Sequence, residues 1–167
     1  MCGEHVGLVD HMMWTEVPSE TDPFRPATEW GRGPCTRADM YYEDFEGEPS
    51  YTVVTQYCSW TTVEQPLLFD VAAGEPINVR VWCFSQTTEE VAEATLLVAA
   101  GEEPLWQRSV PLPAVTGELL FDTLPAPHAL PSGTPVRWHL QNHGENSWNL
   151  IELSVTRRTP CASSSST

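Results

Sequence analysis

Ile77–Phe84, Ile-Asn-Val-Arg-Val-Trp-Cys-Phe, decides the fold class. Ile77, Val79, Val81 and Cys83 fall on one side, and Asn78, Arg80, Trp82 and Phe84 on the other. That period of two marks a strand with one face in a core. Ala73-Gly74-Glu75-Pro76 supplies the turn before it. Further along, Val136–Gln141 repeats the pattern, with Val136, Trp138 and Leu140 set against Arg137, His139 and Gln141. Tyr51–Cys58 (YTVVTQYC) is rich in β-branched and aromatic residues. Pro66–Val71, Leu105–Val110, Glu118–Phe121 and Ser147–Thr156 read as further strands between turn residues. One stretch offers two readings. Thr87-Thr88-Glu89-Glu90 is a capping box, with Val91, Ala94, Leu97 and Val98 at helical spacing behind it. The same stretch is a strand over Ala94–Ala100, and strand is preferred because a lone helix would interrupt strands on both sides. Strands recurring every ~8–12 residues predict an all-β, antiparallel sandwich of about eight strands.

The flanks look different. Pro18, Pro23, Pro26, Pro34 and Pro49 break any period in residues 1–50, so this acid-rich segment is expected to be an irregular arm before a sandwich at 51–156. Residues 157–167 read as a polar, Ser-rich tail. A chain of 167 residues, 41% hydrophobic and 19% charged, suits one globular domain. With 23 acids against 8 basic residues, all Arg, the net charge is −15, which disfavours nucleic acid and anionic lipid surfaces. No apolar run approaches the ~20 residues of a membrane span. Nucleophile-elbow, zincin, P-loop and dinucleotide motifs are all missing, so a non-catalytic role is expected.

The five cysteines form no Cys-x-x-Cys pair and match no zinc spacing. Cys35 and Cys58 flank the entry to the first clear strand and are expected to pair, while Cys83 on an apolar face reads as a buried, inert thiol. A disulfide implies export to an oxidising compartment. Met1-Cys2-Gly3 resembles the mature start of bacterial lipoproteins, a likeness that implies a lipid on Cys2 as the membrane link.

The most distinctive stretch is His139–Leu153, HLQNHGENSWNLIEL. It crowds amide and carboxylate side chains around a tight turn between two tryptophans. Sugars are held by aromatic rings against their C–H faces and by planar polar groups at their hydroxyls. On that reading Trp138, Asn142, His143, Asn146 and Trp148 rim a groove for a glycan or other small ligand. A second reading is a divalent-metal site, zinc or copper, made by His139, His143 and Glu145. Residues four apart on a strand are ~13 Å apart, so that set needs the turn to fold back. A third is a structural subunit assembling through sheet edges.

Gln65-Pro66, an apolar strand, Ala73-Gly74 and the Val79-x-Val81-x-aromatic strand together resemble the opening half of galactose-binding-like jelly rolls, which include many carbohydrate-binding modules. Gly133-Thr-Pro-Val-Arg-Trp-His-Leu140 and Leu150-Ile-Glu-Leu153 are similar to their closing half. The resemblance implies a jelly roll with a glycan ligand. Glu152 stands nearest the aspartate that the last strand of these domains often carries. His139–Leu153 is also similar to lipoproteins of GC-rich bacteria that have no assigned activity.

Overall fold

The computed structural model describes residues 2–28 and 31–159 of the chain. Among these there is no helix, and eleven strands make two antiparallel sheets. The strands are β1 (Cys2–Gly7), β2 (Thr15–Glu16), β3 (Met40–Phe45), β4 (Glu48–Val54), β5 (Trp60–Pro66) and β6 (Pro76–Cys83). They continue with β7 (Ala92–Ala100), β8 (Glu103–Leu112), β9 (Glu118–Pro125), β10 (Pro135–Asn142) and β11 (Ser147–Thr159). One sheet has the order β3-β4-β11-β6-β9, with β1 joining the far end of β11; the other runs β2-β5-β10-β7-β8.

The decisive strand behaves as its alternation requires. Ile77, Val79, Val81 and Cys83 are buried between the sheets. Opposite them, β10 contributes Val136, Trp138 and Leu140, and β7 contributes Leu96 and Val98. A single extra residue in β11 shifts its register between Leu150 and Glu152. Without this bulge the alternation Trp148, Leu150 would carry Glu152 into the core; with it, Leu153 and Val155 point inward instead.

Several expectations need correction. The 1–50 segment is built into the sandwich: β1 pairs with β11, β2 with β5, and β3 with β4. Its strands are too short for a periodic signal, and turns such as Glu46-Gly47, both at positive φ, carry the chain between them. Pro66 ends β5, and Val71 makes only an isolated bridge to Leu130, so 66–71 is no strand. The ambiguous stretch is strand β7. Its helix-like spacing arises because Leu97 and Ala99 on the outer side are buried along with Leu96 and Val98 on the inner. β11 runs on to Thr159, which removes 157–159 from the expected tail; residues 160–167, and the side chain of Cys2 on which a lipid was expected, lie outside the described residues.

Cys35 and Cys58 are bonded, with sulfurs 2.04 Å apart. The bridge ties Cys35, ahead of β3, to the turn between β4 and β5. The Cys83 thiol is buried and free, and burial pushes its pKa up to about 12.

Candidate ligand-binding surfaces

The 142–146 turn is a structural joint. Asn142, at the end of β10, has no exposed surface. Its amide nitrogen donates to Thr55 Oγ1 and Gln86 Oε1 at 2.8 Å each and its carbonyl accepts from Gly144 N at 2.9 Å, pinning three chain segments together. Asn146 donates to Ser85 O. Trp138 and Trp148 are wholly inside the core. They sit on the inward phase of their strands, with Trp138 edge-on to Tyr51, and the large apolar area of an indole is most stable there. Trp138, Asn142 and Trp148 therefore rim no groove.

His143 and Glu145 do reach solvent. They line a cavity of about 930 Å³ with Arg32, Thr95, Gln141 and the 87–93 segment. Arg32 Nη2 is held by the carbonyls of Thr55 and Gly144, and its Nη1 is 3.7 Å from Glu145. Partial burial and then the Arg32 charge hold the His143 pKa below the usual imidazole value. The described lining carries no phenyl, phenol or indole ring.

His139 is committed elsewhere. It lies on the outer face of β10 under the 17–28 segment, against the ring of Phe24. Thr62 Oγ1 donates to Asp22 Oδ2 at 2.6 Å and meets His139 Nδ1 at 2.7 Å. The hydroxyl has one proton, so the imidazole nitrogen supplies the other. Burial, opposed by Asp22, lowers the His139 pKa to about 4. The expected metal set of His139, His143 and Glu145 is thus not assembled, and no three His, Cys, Asp or Glu among the described residues gather to hold an ion. A buried imidazole locked to Thr62 has no freedom to turn towards the exposed His143.

The outer face of the β3-β4-β11-β6-β9 sheet was not singled out from the sequence. Register places Tyr41, Thr52, Asn149, Trp82 and Leu119 in one row across it, sets Glu152, Arg80 and Phe121 in another, and pairs Phe45 with Glu48 at the β3–β4 end. Phe121 is 53% exposed and Tyr41 45%. Phe45, Trp82 and Phe84 form a cluster with ring centres 5.8 to 6.2 Å apart. Beside it runs a polar network. Glu43 Oε1 accepts from Thr52 Oγ1 at 2.5 Å and Asn149 Nδ2 at 2.6 Å, and Arg80 pairs with Glu48 and Glu152. Glu152 also accepts from His5 and Ser154. Burial raises its pKa, but Ser154, His5 and Arg80 outweigh burial and keep it below the usual value. At the lower end, Phe121, Asn78, Thr123, His5 and Arg157 line a second cavity of about 920 Å³. A signal for this face stood in the decisive strand itself: its solvent side carries Trp82 and Phe84 where only polar residues are needed.

No protein-family model matches the chain, and no curated protein sequence matches it. Among solved structures, the carbohydrate-binding module TmCBM27, described for specific mannan recognition, superposes over 95% of this chain and 100% of its own, with TM-score 0.54 and 7% identity. The antiparallel β-sandwich of this chain is similar to the fold of that module. At such identity the likeness concerns fold alone. An arabinose-bound GH51 α-L-arabinofuranosidase aligns over 70% of this chain but 21% of its own, so the chain spans about a fifth of that protein (TM-score 0.45, 10% identity). A cyclase from Fischerella sp. TAU aligns over 92% of this chain and 88% of its own (TM-score 0.47, 13% identity). The sandwich has two candidate surfaces, the polar cavity beside His143 and the aromatic outer face of the β11 sheet.

Proposed function

We propose that the protein is an exported, non-catalytic glycan-binding module, and that the outer face of the β11 sheet takes the sugar. The observation that carries this reading is the interleaving of aromatic rings (Tyr41, Phe45, Trp82, Phe121) with amide, hydroxyl and carboxylate side chains on one sheet face. A pyranose has the same duality, with apolar C–H faces and a polar rim. A row of strands also presents these groups along a line, as an extended glycan would meet them. The module of the same fold recognises mannan, which makes mannan the first polymer to try.

The test is affinity electrophoresis of the whole chain in gels containing mannan, xylan or β-glucan, followed by calorimetry on any hit. Retardation by at least one polymer, weakened roughly fivefold or more in Phe121→Ala or Tyr41→Ala, is expected. Mobility unchanged in all three would sink the proposal. The disulfide supports export. Alkylation in whole cells should find Cys35 and Cys58 protected, and free thiols there would refute export.

A further inference from the structure

Seven buried side-chain nitrogen and oxygen atoms among the described residues have no hydrogen-bond partner. Those of Trp60, Trp138, His139 and Trp148 lie elsewhere, but Arg80 Nε, Trp82 Nε1 and Asn149 Oδ1 gather on the outer face of the β11 sheet. Asn149 is the direct cross-strand partner of Trp82, and Arg80 is two residues along the same strand face. Arg80 Nε has an ionic neighbour, Glu152 Oε2 at 3.4 Å. That leaves one indole N–H donor and one amide carbonyl acceptor on facing residues, whose Cβ atoms in such a pair are ~5 Å apart. More than nine in ten buried polar groups find a partner; three other indoles of the fold lack one too, but among the described residues only Trp82 has an unpaired amide acceptor on its cross-strand partner.

The surroundings fix both groups in place. Asn149 Nδ2 is bound to Glu43 Oε1 and Thr52 Oγ1, which holds Oδ1 on the other side of the amide. A Cβ at Gly117 would come within 2.8 Å of Trp82 Cζ2, so only glycine there lets the indole lie where it does. Phe45 packs on Trp82 at the tip of the β3–β4 hairpin, next to the turn residues Glu46 and Gly47. The Glu48–Arg80 pair holds that tip to the sheet.

We infer that Trp82 Nε1 and Asn149 Oδ1 form a polar subsite for a hydroxyl group of a neutral sugar, roofed by the Phe45 hairpin tip. A hydroxyl accepts from the indole and donates to the amide, the pair of roles left open here. The neutral class follows from the charges around it. Glu43, Glu48 and Glu152 face this region, and Arg80 is already paired with two of them, so a uronate or sulfated sugar meets net repulsion. The inference rests on the reading of this face as the glycan surface.

The experiment follows the indole N–H resonances of ¹⁵N-labelled protein, with the Trp82 signal assigned by its loss in Trp82→Phe. Mannohexaose, xylohexaose and cellohexaose are titrated first, then polygalacturonate fragments, then glycerol at molar concentration. The expected result is a Trp82 shift with a neutral oligosaccharide, none with polygalacturonate, and affinity about tenfold lower in Trp82→Phe, which keeps the ring but loses the donor. Phe45→Ala is the second variant: it should speed solvent exchange of the Trp82 N–H and leave the other indoles unchanged. A neutral oligosaccharide that binds without moving Trp82, or equally well to Trp82→Phe, overturns the subsite while the glycan function stands. Polygalacturonate that binds and moves Trp82 as neutral sugars do overturns the neutral class. If no oligosaccharide binds but glycerol moves the Trp82 signal alone, the hydroxyl subsite is supported and the glycan function fails. If no oligosaccharide binds and glycerol leaves the signal in place, both fall.

Discussion

At the residue scale, buried tryptophan and buried histidine do different work from what their types suggest. Trp138 and Trp148 fill the space between the sheets, so replacing either by Ala leaves a cavity and should cost about 3–5 kcal/mol in urea unfolding. Changes in glycan affinity beyond that expected from unfolding would contradict this placement. His139 couples stability to acidity. In the unfolded chain its imidazole takes a proton near pH 6.5, whereas in the fold it resists until about pH 4. The unfolded state therefore binds more protons between those values, and stability is lost as pH falls through that window, by about 3 kcal/mol in full. Melting temperatures from pH 7 to 4 should fall more steeply in the wild type than in His139→Gln; parallel curves would refute it. The exposed His143 makes no comparable contribution.

At the element scale, strands whose sequence alternates were legible and strands buried without alternation were harder to read. β6 and β10 alternate plainly, and their inward residues are the ones the sequence indicates. β5, Trp-Thr-Thr-Val-Glu-Gln-Pro, does not. Thr62 and Gln65 are buried because other segments bond to them, Asp22 to the Thr62 hydroxyl and the Asp10 backbone to the Gln65 amide, and that depends on the fold of residues far away. The candidate face was hidden for a related reason. Tyr41, Asn149, Trp82 and Leu119 are scattered over 109 positions, and only the strand order aligns them. The disulfide illustrates a local tie with a wide effect. Removing the Cys35–Cys58 bridge frees a loop of 23 residues and should cost ~2–4 kcal/mol, seen as a lower urea midpoint in the double Ala variant. At the open side of the sandwich, Asp122 on β9 accepts from Trp106 and twice from Arg108 on β8, joining the edges of the two sheets. These hydrogen bonds outweigh partial burial and hold its pKa below the usual carboxylate value. Asp122→Ala should lower the melting temperature, and an unchanged melt would mean that the clasp is not needed.

At the scale of the whole molecule, charge and strand order set the behaviour. A net charge of −15 and a pI near 4.5 predict passage through heparin resin even at low salt, and a solubility minimum near pH 4.5. Retention on heparin would reveal a basic patch that no described surface displays. The strand order bears on how the chain is made. The central strand of one sheet is β11, which joins β1, β4 and β6; that of the other is β10, which joins β5 and β7. A ribosome therefore delivers every edge before either centre, and the pieces wait for the last two strands to join them. Most contacts are long-range in sequence, a feature of chains that fold in milliseconds to seconds. A nascent chain arrested after Asn142 should be cut readily by protease, whereas one in which β11 has cleared the ribosome should resist it, so that stability arrives in a single step once β11 has emerged.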